Sequence, residues 1–253
     1  VTFGTLLIFV YTMLGTNNAE KWYYQPVLLT IGASCYSIVS ILLLHYRPFR
    51  MLQEQLAQGF HFLADYIDLK ASLFPSNPQV QILIRNQLAQ KNIQLSQQIE
   101  TCKNNLYSYS EESGPETLST VNIYYRKWFL LQEMQERAIS SHEQYDLLTR
   151  DVTNIELLEG FGQLMHEIGK AMNIYADSLL TEQTYKHHLS LEWTLSAVKK
   201  MLEEEKGEPH YLTLSLLMKN LMGLEENLRD EESHSAKIDV TVFNTRKPER
   251  NSL

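Results

Sequence analysis

Cysteine is almost absent: Cys35 and Cys102 are the only two in 253 residues. One sits inside an apolar run and the other far along a polar region, so no disulfide framework holds this fold. Such usage fits a reducing compartment. Proline is informative where it is missing. The seven prolines stand at 26, 48, 75, 78, 115, 209 and 248, leaving none from 116 to 208 and permitting long uninterrupted helices there. Strand patterning is missing as well. Lys237 to Phe243, KIDVTVF, is the single alternating segment, and it stands alone in a polar tail. Positive charge is in deficit, with a formal net charge of −8. That excludes the clustered Lys and Arg a nucleic-acid partner requires, and argues against a domain lying broadly on anionic lipid.

Catalytic signatures are also lacking. There is no phosphate-binding loop. Gly160-Phe161-Gly162 is the only G-x-G, and Met165 stands where the dinucleotide fingerprint needs glycine. Its two glycines read as thin spots where another helix packs close. No G-x-S-x-G elbow occurs. His142-Glu143 and His166-Glu167 lack the second histidine of a zinc-protease helix, and Glu231 to His234 is one E-x-x-H where a di-iron bundle needs two. His187-His188 read as surface histidines. Glu203 to Glu205 read as a solvated helix end, and Glu225, Glu226, Asp230, Glu231 and Glu232 fall in the same class. The aromatic cluster Tyr124, Tyr125, Trp128 and Phe129 reads as core packing. No catalytic residue, cofactor or metal is therefore assigned, and the chain is not expected to be an enzyme.

What is present first is a charge-free stretch. Val27 to Leu44, VLLTIGASCYSIVSILLL, has the length to cross a hydrocarbon core of roughly 30 Å as a helix. Tyr23 and Tyr24 flank one end and Tyr46 the other, where amphipathic rings favour the membrane–water boundary. Arg47 and Arg50 come next, and cations at a span end favour the cytoplasmic side. The competing reading, a buried helix of a soluble protein, fits poorly with so long a run lacking charge. Upstream, Val1 to Leu14 is apolar and is expected to be the trailing part of another span. It has neither the cationic start nor the cleavage site of a signal peptide. The polar turn Gly15 to Lys21 joins the two into an antiparallel hairpin. Residues 1–46 are thus expected to hold two transmembrane helices, about 1–14 and 23–45, in a piece of a longer membrane protein. The joint Arg47, Pro48 and Arg50 is the expected point of coupling between the membrane hairpin and the rest of the chain.

Glu20 and Lys21 are the only charged residues before Arg47, so nearly all charge lies in the second part of the chain. There, apolar residues step by 3, 4 or 7 along six helical faces. The runs are Leu52 to Ile67, Leu88 to Tyr109, a helix from about Thr117 to Arg150, Ile155 to Leu179, Leu191 to Leu202 and Leu214 to Leu228. Pro75/Pro78, Gly114-Pro115 and Gly207-Glu208-Pro209 mark breaks. Residues 47–232 are expected to form a bundle of long antiparallel helices, and 233–253 a polar tail or linker. The fold class is all-α: a transmembrane helical hairpin followed by a long-helix cytoplasmic bundle.

The hairpin followed by Tyr46 to Phe74, YRPFRMLQEQLAQGFHFLADYIDLKASLF, resembles the YccS/YhfK group of bacterial inner-membrane proteins, within the fusaric-acid-resistance-like, aromatic-acid-exporter superfamily. Ala138 to Tyr145 is similar to the helical region of the same group. The resemblance implies a multi-pass inner-membrane transporter-like protein, a homo-oligomer in the lipid bilayer. It implies efflux of small anionic aromatic solutes, and a domain after residue 47 in the cytoplasm that serves assembly or gating. The alternatives are a membrane-tethered scaffold that recruits a partner without transport, and a ligand-binding helical enzyme or sensor.

Overall fold

The computed structural model describes residues 30–39, 49–74, 78–112, 114–140, 154–181 and 183–245. Among these the chain is helical, with no strand. It divides into two compact units, Val1–Phe49 and Arg50–Leu253.

In the first unit, residues 30–39 form helix α1. Ile31, Tyr36, Ile38 and Val39 are exposed, and Ser37 Oγ donates to the carbonyl of Ala33 at 2.9 Å, so its hydroxyl is satisfied within the helix. Cys35 is exposed rather than buried. Among the described residues no helix is long and apolar enough to cross a membrane. Most of the expected hairpin, together with Arg47 and Pro48, lies outside the described residues.

Among its described residues the second unit contains six helices: α2 (Arg50–Ala71), α3 (Pro78–Glu112), α4 (Pro115–Ile139), α5 (Ile155–Thr181), α6 (Leu189–Glu204) and α7 (Tyr211–Thr245). Their side-chain contacts fix the directions. Asp65 meets Lys91 and Gln55 meets Gln98 and Asn105, so α3 runs antiparallel to α2. Trp128 donates to the Ile99 carbonyl and Gln135 to Asn92, so α4 runs antiparallel to α3. α5 is central, packing on α2, α6 and α7. Its buried residues run from Leu157 to Leu179 over more than one face, as a helix covered on several sides requires.

The α2–α5 contact is the closest. A Cβ on Gly162 would lie 3.0 Å from the Phe74 carbonyl oxygen, and one on Gly169 3.3 Å from that of Ala64. Ala57, Ala64, Ala71, Ala171 and Ala176 are buried in the same two helices, and small residues allow this approach. Leu52, Leu56, Phe60, Leu63 and Ile67 form the buried face of α2, as their spacing predicts. Cys102 is buried on α3, and burial pushes its thiol up to about 12, leaving it unreactive.

Several expectations need correction. Helix α4 ends at Ile139 rather than near Arg150. Ser140 caps this end: its N–H bonds to the Glu136 carbonyl and its Oγ donates to the Arg137 carbonyl at 3.0 Å, so both carbonyls are satisfied. Tyr145 and Leu148 lie outside the described residues. The buried stripe of α4 passes through Tyr124 and Met134, while Phe129 is exposed, so the aromatic cluster is only partly core. Ile155 is exposed at the start of α5. Helix α7 continues to Thr245, so the lone KIDVTVF segment is helical; with no partner strand it has no ladder to join.

Candidate functional site

The expected joint is represented by Arg50 alone. It opens α2 and pairs with Glu54 at 2.8 Å, both side chains more than half exposed, so the pair adds little stability.

The structure instead gathers polar groups inside the bundle, where α4, α5, the segment 183–188, α6 and α7 meet. Glu231 of α7 is 6 % exposed. Arg126 Nη2 of α4 donates to its Oε1 at 2.8 Å, and the Tyr175 hydroxyl of α5 donates to its Oε2 at 3.0 Å. One carboxylate thus joins three helices, with both oxygens occupied. Tyr175 is itself enclosed, meeting Phe60 edge-on at 4.8 Å and Tyr185 at 5.5 Å. Its phenol is held well above 10, first by burial and then by the Glu231 charge, so it is a permanent donor. Burial lowers the Lys127 ammonium, against the pull of Glu231.

A second group lies along the chain from Tyr185. The segment 183–188 is not helical, and within it Tyr185 and the His187 side chain are buried while Lys186 and His188 are exposed. The Tyr185 hydroxyl is 3.4 Å from His187 Nδ1. His187 Nε2 is 3.2 Å from Glu225 Oε1, and Arg229 Nη1 lies 3.8 Å from the same oxygen. Glu192, in the first turn of α6, completes a trio with His187 and Glu225 whose ligand atoms all lie within 4.8 Å of one another. This is the one group among the described residues with the composition and spacing to hold a metal ion.

Away from these, Lys70 in the last turn of α2 is 3 % exposed and donates from Nζ to the Ala138 carbonyl of α4. Burial lowers its ammonium to about 7. A shallow groove of about 360 Å³ runs between α2 and α5, lined by Asp68, Phe74, Glu159, Gly162, Gln163 and His166 among others. His166 Nδ1 pairs with Asp68 across it.

The side chains of His187, Glu225 and Glu231 are therefore buried, against the sequence expectation of surface groups. A signal for Glu231 is present: the stripe Leu214, Leu217, Leu221, Leu224, Leu228 steps by 3, 4, 3 and 4, and one further step of 3 lands on it. Glu225 sits four after Leu221 and three before Leu228. Glu226 and Asp230 are exposed as expected. The glycine reading also holds, since a Cβ on Gly160 would lie 3.2 Å from Val198 of α6.

Comparison with known proteins adds a family. The profile of the FUSC-like family, described as FUSC-like inner membrane protein yccS, matches residues 1–233. The Escherichia coli (strain K12) inner membrane protein YccS is 32 % identical over 242 residues, covering 93 % of this chain and 33 % of that protein. An uncharacterized protein of Haemophilus influenzae is 22 % identical over 236 residues, covering 90 % of this chain and 33 % of its own length. The chain spans about a third of the length of these curated relatives. No solved structure matches it.

Proposed function

The chain belongs to the FUSC-like family of inner membrane proteins, and from that membership we propose that it is part of a bacterial inner-membrane transport protein that exports small anionic aromatic compounds. One observation carries the reading. The family match runs without interruption from the apolar residues before Arg47 through the helical bundle to residue 233, so both parts belong to one membrane protein. In this reading the protein is multi-pass, Val27 to Leu44 is a span, and Arg47 and Arg50 hold the following bundle on the cytoplasmic side. The bundle serves assembly or gating. Its close-packed α2–α5 pair supports a rigid lever rather than a deformable linker, and the Arg47-Pro48-Arg50 joint transmits its movement. The relatives are named as inner membrane proteins rather than enzymes, in keeping with a non-catalytic role.

The bundle also presents apolar pairs on successive turns, Leu189 with Trp193 on α6 and Leu212 with Leu216 on α7, all exposed. They supply a surface for self-association, and they favour as second reading a membrane-tethered scaffold that binds a partner without transport. The two readings separate in a deletion strain complemented with the intact protein. Transport predicts that loss of the gene raises cellular accumulation of at least one aromatic carboxylate in a broad panel, reversed by complementation. Accumulation unchanged across the whole panel would remove the transport reading and leave the scaffold.

A further inference from the structure

We propose that His187, Glu192 and Glu225 form a binding site for a divalent transition-metal ion, with Zn²⁺ the best fit, clamping the α5–α6 connection and α6 onto α7. Three separate elements deliver the three ligands, and their ligand atoms lie within 4.8 Å of one another. The His187 and Glu225 side chains are only 4 % and 7 % exposed. Two buried groups of this kind should satisfy each other. Yet His187 Nε2 and Glu225 Oε1, though 3.2 Å apart, are not aligned as a hydrogen bond, and neither atom finds another hydrogen-bond partner in the protein. A buried polar atom left so is costly, because it has given up its water without a replacement. Two lone pairs set close together but not pointing at one another is the arrangement of neighbouring ligands on a common ion. With metal–ligand bonds of about 2.0–2.1 Å, tetrahedral geometry puts adjacent donors about 3.3 Å apart.

The surroundings suit this chemistry. Ligation through Nε2 requires the ring proton on Nδ1, and the Tyr185 hydroxyl stands 3.4 Å from that nitrogen to accept it. One imidazole and two carboxylates favour Zn²⁺ over Mg²⁺ or Ca²⁺, which prefer all-oxygen shells. Two carboxylates balance the charge of the ion, and the fourth position is left for water. Arg229 at 3.8 Å is a competing cation for Glu225, but its side chain is half-exposed and free to turn to solvent. The site goes beyond the transport reading and does not depend on it.

The test is isothermal titration of Zn²⁺ into the metal-stripped full chain in detergent, with Co²⁺ absorption as a spectroscopic check on ligand geometry. The expected result is one ion per chain, and a Co²⁺ spectrum of four-coordinate intensity. Glu225→Gln should weaken binding at least tenfold, while the exposed neighbour change Glu226→Gln leaves it unaltered. If Glu225→Gln disturbs the fold by circular dichroism, the half-exposed Glu192→Gln takes its place with the same expected loss. No binding, or binding that His187→Gln and Glu192→Gln both leave unchanged, would overturn the proposal.

Discussion

Lys70 offers the sharpest quantitative test of how the bundle is held together. Its ammonium is enclosed in the last turn of α2 and donates to the Ala138 carbonyl near the end of α4. The negative end of the α4 dipole favours a cation there, but burial wins, bringing the pKa from 10.5 down to about 7. At 1.36 kcal/mol per pH unit, that difference corresponds to about 5 kcal/mol against holding the charged form in this site. The direction of the pH effect comes from linkage. The folded pKa lies below the unfolded one, so between about 7 and 10.5 the unfolded chain binds the extra proton. Stability therefore climbs as pH rises through that window, and below about 7 the full penalty applies. Lys70→Met keeps the aliphatic stem, removes the charge, and leaves one carbonyl short of a donor at a cost of about 1–3 kcal/mol. The net expectation is stabilisation of about 2–4 kcal/mol at pH 6, shrinking toward zero or reversing near pH 10. Urea unfolding of the full chain followed by circular dichroism, at pH 6, 7, 8 and 9, measures both quantities. A Met variant less stable than the parent at pH 6, or a parent-to-variant difference flat with pH, would refute the reasoning.

Other expectations are more local. Gly162→Ala places its Cβ 3.0 Å from a backbone carbonyl that cannot turn aside, and should cost about 1–3 kcal/mol in urea unfolding. Gly160→Ala meets only side chains, Val198 at 3.2 Å and Met201 at 3.5 Å, and its gain of about 1 kcal/mol in helix propensity should leave it near neutral. Glu231→Ala should cost about 2–4 kcal/mol, because it leaves the buried Tyr175 hydroxyl unpaired. Tyr175→Phe should cost about 1–2 kcal/mol, since Glu231 keeps Arg126, and a double-mutant cycle should show strong coupling between the two sites. Trp193→Ala, at a side chain 72 % exposed, should change stability by no more than about 0.5 kcal/mol in unfolding experiments.

The sequence is readable where a single physical rule dominates. Apolar steps of 3, 4 and 7 locate the six helices among the described residues of the bundle, and Pro75, Pro78 and Pro115 set edges because a ring without an N–H cannot sit inside a helix. It misleads where two rules compete. The stripe of α4 carries past Ile139, but the helix ends there with Ser140 at its C-cap: periodicity marks a face that a helix could bury, not where the helix stops. The charges on α7 suggest solvent, whereas their spacing from Leu228 places Glu231 in the interior, where Arg126 and Tyr175 meet it. His187 is misjudged for a different reason. A helix across 183–188 would separate it from Tyr185, but the segment is not helical, and the His187 ring lies 3.4 Å from the Tyr185 hydroxyl while His188 is exposed. Long-range pairings of this kind leave no trace in local periodicity.

The membrane account rests on the orientation of the bundle, and labelling reads that directly. Ser108 is exposed on α3, so Ser108→Cys, introduced into the intact protein with Cys35, Cys102 and any cysteine outside this sequence replaced, provides one accessible thiol. A membrane-impermeant maleimide should modify it in inverted inner-membrane vesicles and leave it untouched in intact spheroplasts. Labelling in spheroplasts, or recovery of the protein in the aqueous fraction without detergent, would contradict the account.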